Sequence, residues 1–204
     1  MLTPDDDRSD GSHTGYLHAA EKWRDFDPEL FDWLRDKVCR QGVREVRAVE
    51  NTVILPGCRF YSQIVPTEKP SRTKYCDDFI EFARGTDLVF FDPDNGMEVE
   101  SVPLGTENSV KYLYWDEVRS AFERGYSLLI YQHFRRENRE TFIKNLAVEF
   151  GRETGAKTVY SFRTPNVVFF LIPQEAHEGG LFQDSQEVEQ LWRPQISLGR
   201  HEIG

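Results

Sequence analysis

Two unbroken apolar runs stand out along the chain, Leu88-Val89-Phe90-Phe91 entered from Asp87, and Ser127 to Gln132. Runs this short and continuous predict strands buried on both faces, as in parallel sheets. Between them, Lys111 to Arg124 predicts a helix, and after the second run Glu137 to Glu153 predicts an amphipathic one. Lys157 to Phe162 and Val167 to Ile172 read as two further strands. Only Arg163, Thr164, Pro165 and Asn166 separate these two, too few for a crossover, so they are expected to pair as an antiparallel hairpin. Towards the amino terminus, Asp27 as N-cap and Pro28 at the first helical position start a helix that runs to about Arg40. Its residues Leu30, Phe31, Leu34 and Val38 share one face, and Gly42 supplies a stop. Gly15 to Arg24 predicts a helical turn or two, Val43 to Leu55 and Cys58 to Val65 short strands split by Pro56-Gly57. Pro66 to Lys74 reads as a basic, proline-bearing loop leading into a helix that ends near Arg84. Both ends are polar: the first fifteen residues read as a loop, and Gln174 to Gly204 as a loose tail with one helical stretch around Ser185 to Trp192.

This order predicts an α/β fold, a three-layer α/β/α arrangement with a mostly parallel sheet and a C-terminal antiparallel hairpin. Residues 1–173 would form one domain, and 174–204 its polar tail. At 204 residues the chain is long enough to bury a sizeable core. Its longest apolar run, Val167 to Ile172, is far short of the roughly 20 residues a bilayer needs, so no membrane partner is expected and the protein should stay in the cytoplasm. The three cysteines, Cys39, Cys58 and Cys76, form no C-x-x-C pair and are expected to be reduced thiols used in packing. A formal net charge of −10 opposes indiscriminate nucleic-acid binding but leaves room for a local basic groove.

In open parallel sheets, ligands bind beyond the carboxyl ends of the strands. One such end here is Asp92-Pro93-Asp94-Asn95-Gly96, and the next is Gln132-His133-Phe134-Arg135-Arg136. On neighbouring strands the two ends would lie within about 5–10 Å, given roughly 4.8 Å per strand. A plain turn accounts for Pro93 and Gly96. It accounts less well for two acids beside a buried strand end, where desolvation costs free energy. His133 reads either as a cap or as a functional group. Arg135, Arg136 and Arg139 read either as a solvated helix start or, since positive charge there opposes the helix dipole, as holders of an anion. Tyr112, Tyr114 and Trp115 read as core or as a base-stacking wall. The acids Asp5, Asp6, Asp7 and Asp10 read as a solvated loop; were Met1 to Thr3 a central strand, they would face Asp92.

From Asp87 to Ile172 the chain resembles the carboxyl half of Rossmann-type S-adenosylmethionine-dependent methyltransferases, particularly ribosomal-RNA adenine methyltransferases. There, an apolar strand ends in D-P-P-Y and the sheet closes with an antiparallel hairpin. Asp92-Pro93 keeps the first two motif positions, while Asp94 and Asn95 replace the proline and aromatic that grip the target amino group. No G-x-G loop stands in the first half to cradle the cofactor. Asp92-Pro93 also resembles the D-P of the G-Q-D-P-Y motif in the uracil-DNA-glycosylase superfamily, with Phe91 and Asp94 in place of its Gln and Tyr, and the resemblance implies for His133 the part of that family's histidine after a later strand.

An acid-rich loop without a cofactor cradle suits hydrolysis, so the leading expectation is a cofactor-independent, DNA-glycosylase-like enzyme. Asp92 would act as base or electrostatic stabiliser, Asp94 as its partner or as the activator of water, Asn95 as a reader of the base edge and His133 as donor to the departing base. The substrate would be a flipped-out nucleotide of nucleic acid, DNA first, stacked on Tyr114 or Phe134. Gln132, Arg135, Arg136, Lys69, Arg72 and Lys74 would complete its binding surface, the basic residues on phosphates. No metal and no cofactor are expected in this reading, and oligomeric state stays open. The alternatives are a methyltransferase with S-adenosylmethionine as cofactor, a magnesium-dependent phosphohydrolase or nuclease using Asp92, Asp94 and the N-terminal acids, and a non-catalytic binding module on the same scaffold.

Overall fold

The computed structural model describes residues 3, 13–45, 47–50, 52 and 54–204. The acids at 5–7 and 10, and residues 1–2 of the suggested N-terminal strand, lie outside the described residues. The chain divides into two compact units, residues 5–62 and residues 63–204 joined by 1–4.

In the smaller unit, a 3-10 turn (Gly15–His18) precedes α1 (Ala20–Trp23), a second 3-10 turn (Arg24–Phe26) and α2 (Pro28–Arg35). Asp27 caps α2 as expected, its carboxylate accepting from the Leu30 amide at 3.0 Å with Pro28 in the first turn. The helix runs on as a π turn, Asp36–Arg40, before Gly42. The Arg24 guanidinium grips Asp32 in α2 through Nε and Nη2, the shorter contact being 2.7 Å. The strands expected at 43–55 and 58–65 do not form among the described residues. Arg47–Glu50 is one helical turn, α3, and Ile64 alone makes a bridge. Gly57, at φ +77°, turns the backbone between the two stretches.

The larger unit holds α4 (Lys69–Phe82), β1 (Leu88–Phe91), β2 (Gly96–Met97), β3 (Tyr112–Leu113), α5 (Trp115–Glu123) and β4 (Ser127–His133), followed by α6 (Arg139–Thr154), β5 (Thr158–Arg163), β6 (Val167–Ile172), α7 (Glu178–Trp192) and β7 (Ser197–Glu202). Five strands form one sheet in the order β1-β4-β6-β5-β7. The expected hairpin of β5 and β6 is present and antiparallel. The expectation of a mostly parallel sheet is corrected: only β1 with β4 is parallel, while β4 with β6, β6 with β5 and β5 with β7 are antiparallel. The tight return after β5 slots β6 beside β4, and the chain end then adds one more antiparallel strand. The loose tail is corrected as well, since residues after Pro173 form α7 and β7. Its sequence, Ser197-Leu198-Gly199-Arg200-His201-Glu202, hides a strand because an edge strand with a half-exposed face needs no apolar run.

Val89 and Phe91 of β1, Leu128 and Ile130 of β4, and Val168, Phe170 and Ile172 of β6 point into one core. Ile80 of α4, Val118 of α5 and Phe142, Leu146 and Phe150 of α6 fill it from the helical side. On β5, Val159 joins this core, whereas the next residue, Tyr160, stacks on Phe182 of α7 at 5.4 Å. At the amino end of β4 the buried Ser127 hydroxyl contacts His177 Nδ1 at 2.9 Å and accepts from the Gln174 amide at 2.9 Å, anchoring the entry to α7.

Of the basic loop expected at Pro66 to Lys74, only 66–68 is non-helical; from Lys69 the chain is α4, because Pro70 falls in the first helical turn, where a missing amide costs nothing. Arg72 therefore turns inward and is 1% exposed. Its Nε and Nη2 grip Glu117 of α5 at 2.6 and 2.9 Å, while Nη1 and Nη2 donate to the carbonyls of Ser109 and Tyr112 at 3.0 and 2.7 Å. Cys76 Sγ donates to the same carboxylate, and burial pushes its thiol well above the usual range. Arg72→Met would leave Glu117 charged, buried and unpaired. Urea unfolding is expected to show a loss of about 3–5 kcal/mol with the m-value unchanged; a variant as stable as the parent would show that the pair holds nothing together.

Candidate functional site

The expectation that β1 is buried on both faces is corrected: the strand alternates, Leu88 and Phe90 facing outward while Val89 and Phe91 enter the core. The strand then delivers Asp92 beyond its last pairing, Phe91 opposite Ile130, which sets Asp92 beside Tyr131 on β4. Pro93 is buried, and Asp94 and Asn95 are exposed. The Asn95 amide donates to the Lys111 carbonyl at 2.9 Å, and Gly96-Met97 pairs in parallel with Tyr112-Leu113.

Gln132 fixes the loop from the far side. Wholly buried, its Oε1 accepts from the Met97 amide at 2.8 Å and its Nε2 donates to its neighbour's carbonyl, His133 O, at 2.8 Å. Gly96 makes this approach feasible: φ is +92°, and a Cβ there would lie 2.4 Å from Gln132 Cδ. Gln132 is thus a clamp on the loop, and its carboxamide is not free to meet a substrate.

The neighbouring residues of β4 face the other way. Tyr131 Oη and His133 Nε2 are 2.9 Å apart, and their rings meet edge to face at 5.2 Å. Tyr131 also packs edge to face on Phe169 of β6 at 5.5 Å, and Phe169 on Phe90 at 6.3 Å. Phe90 is 51% exposed, so this aromatic strip is open to solvent beside the two acids.

The charges are mutually sensitive. Asp92 keeps an exposed edge, yet the protein packed around it pushes its carboxyl above the ordinary carboxylate range; Asp94 pushes it further, and His133 pulls it back. Burial raises the Tyr131 phenol as well, with Asp92 and then Asp94 adding to it. A raised carboxyl with a second carboxylate, an imidazole and a phenol beside it offers acid and base groups at one place.

The structure brings Asp92, Asp94 and His133 together and sets Asn95 on the same loop. It places other expected residues elsewhere. Tyr114 is 4% exposed, and its hydroxyl donates to the Val102 carbonyl at 2.9 Å, so its ring offers no stacking surface. Phe134 packs on Phe142 at 6.0 Å with the Arg139 guanidinium 4.9 Å above it. Arg72 is enclosed in the core pair described above, and Lys74 pairs with Asp78 at 2.8 Å on α4. The aliphatic stem of Lys69 lies along Gly105, within 3.3 Å of where a Cβ would sit. Arg136 is exposed, and Arg135 donates to the Glu98 carbonyl at 3.3 Å. Sequence reasoning missed Phe90, Tyr131 and Phe169. The signal for Tyr131 was its spacing of two from His133, which on a strand means one shared face. Among the described residues, no group of three His, Cys, Asp or Glu side chains is arranged to hold a metal ion.

Because the folded chain holds the Asp92 proton more tightly than the unfolded chain, the stability linked to it is complete below the unfolded pKa and is lost as pH rises through the folded one. Asp92→Asn is therefore expected to raise the urea midpoint at neutral pH and to flatten the decline of stability above the ordinary carboxylate range. Denaturation curves over a pH series check this, and an unaltered pH profile would contradict it. No protein-family model matches the chain, and neither does any curated protein or solved structure.

Proposed function

We propose that the protein is a cofactor-independent hydrolase that cleaves an N-glycosidic bond, with a base of nucleic acid, DNA first, as substrate. The observation that carries this reading is the raised carboxyl of Asp92 facing Asp94, Tyr131 and His133 at one strand end. A carboxylate with a raised pKa is the stronger base for activating water, and Asp94 beside it stabilises oxocarbenium character on the sugar. His133, oriented by the Tyr131 hydroxyl, donates to the departing base. Asn95 reads the base edge. The open strip of Phe90, Tyr131 and Phe169 takes over the stacking role that sequence reasoning gave to Tyr114 and Phe134. Of the basic residues, exposed Arg136 remains as a phosphate contact. A three-layer fold goes with this reading, supported by α7 against Tyr160 and by α4, α5 and α6 against the opposite side of the sheet.

Incubation with DNA carrying varied base modifications, followed by alkali cleavage and mass spectrometry of released base, tests the activity. Release is expected, and Asp92→Asn should slow it by about 10²–10⁴-fold. Absence of base release from every substrate would sink the hydrolase.

A second reading, an S-adenosylmethionine-dependent methyltransferase, is favoured by one observation: β6 lies antiparallel between β4 and β5, next to the parallel pair of β1 and β4. That is the closing hairpin expected from the D-P-P-Y resemblance. Titration calorimetry with S-adenosylmethionine separates the two: the hydrolase predicts no binding, and micromolar affinity would move the assignment to methyl transfer.

A further inference from the structure

Behind the loop of Asp92, on the side away from Tyr131, the chain forms a groove of about 1020 Å³ that is open to solvent along one side. Its floor is apolar and aromatic: Met97 from β2, Trp115 from the start of α5, and Phe142 and Leu146 from α6. Its lining carries four carboxylates and the Arg135 guanidinium: Glu98 accepts from the Trp115 amide at 3.0 Å and Glu149 lies 3.4 Å from Arg152, while Glu100 and Glu137 stand exposed on the rim. These residues come from three separate stretches, so the charge is a product of the fold. Carboxylates converging on a concave, low-dielectric surface focus a negative potential into it.

We propose that this groove is a docking site for an arginine-bearing, extended segment of a partner protein. The rim excludes polyanions, so the groove is not a continuation of a nucleic-acid track. Its volume stands at the upper end of the roughly 300–1,000 Å³ usual for enclosed small-molecule sites, and an open trough suits a peptide better than a compact ligand. A guanidinium matches both surfaces, stacking on an aromatic floor while its edge bonds to carboxylates in a fork geometry that an ammonium cannot reproduce. The chain shows the floor half of this arrangement within itself: the Arg135 guanidinium lies 5.9 Å from the Phe142 ring centre and donates to the Glu98 carbonyl at 3.3 Å. The partner segment would extend that stack along the groove towards Trp115. The occupant is independent of the reaction at Asp92.

Fluorescence anisotropy of a short fluorescein-labelled peptide of alternating arginine and glycine tests this on the full chain. Saturable binding that weakens with added salt is expected. Glu100 and Glu137 are both exposed, so Glu100→Gln with Glu137→Gln should leave the fold intact by circular dichroism while weakening the peptide by about tenfold or more, the scale of losing charge-assisted hydrogen bonds. The same peptide with citrulline in place of arginine should bind no better than the double variant does. No binding, equal affinity for the citrulline peptide, or unchanged affinity of the double variant would overturn the proposal. Tight binding of spermine with the peptide inert would overturn it too, since that marks a site for small cations.

Discussion

The buried pair of Arg72 and Glu117 is the constraint on which the helical side of this fold rests. One guanidinium joins α4 to α5 and, through the carbonyls of Ser109 and Tyr112, to the segment that becomes β3. Glu117 completes the junction by accepting from the Tyr114 amide at 2.9 Å, which starts α5 where it must start. Because β3 pairs with β2, and β2 is the exit of the Asp92 loop, the pair governs the site without touching it. Two ions withdrawn from water contribute little net stability; their value lies in the single geometry that satisfies every donor. A basic residue that looks like a surface hand for phosphate is here the pin of the scaffold.

β4 divides structural and chemical duties between its two sides. Ile130 and Gln132 point towards the core and the loop, fixing position, while Tyr131 and His133 point outward and carry the titratable groups. The period of two that belongs to any strand makes this division possible in four consecutive residues. The desolvation that raises Asp92 follows from the same packing, because the loop that carries it is pressed onto β4 by a buried carboxamide. The site is accordingly held by hydrogen bonds inside the sheet and helix framework, and the aromatic strip beside it is free to meet a ligand.

Much of this was legible in the residues. The cores of β1, β4, β5 and β6 announce themselves as apolar runs, and Asp27-Pro28 marks the start of α2 by chemistry that any sequence displays. Strand direction was not legible, since an apolar run reads alike in parallel and antiparallel neighbours, and neither was the exposed face of β1, which is as apolar as its buried one. The start of α4 was obscured because Pro70 is as much at home in a first helical turn as in a loop. β7 was hidden by its polarity, which suits an edge strand. In the site, Asp92, Asp94 and His133 could be placed from strand ends alone. The role of Gln132 could not, because it depends on how closely residue 96 approaches across 35 intervening positions of chain, a contact that no local pattern encodes.

That contact couples two positions in a way that outlasts the drift of everything around them. A side chain at 96 has no room while a glutamine stands at 132, and a shorter residue at 132 would strand the Met97 amide. Position 96 also holds a left-handed φ of +92°, so it calls for glycine whatever stands at 132, and the glutamine is called for by the amide it meets. Two chains with little else in common could share this loop and be recognised by it: an Asp-Pro strand end, a glycine after it, and a glutamine at the close of the neighbouring strand form one spatial signature written in two distant places.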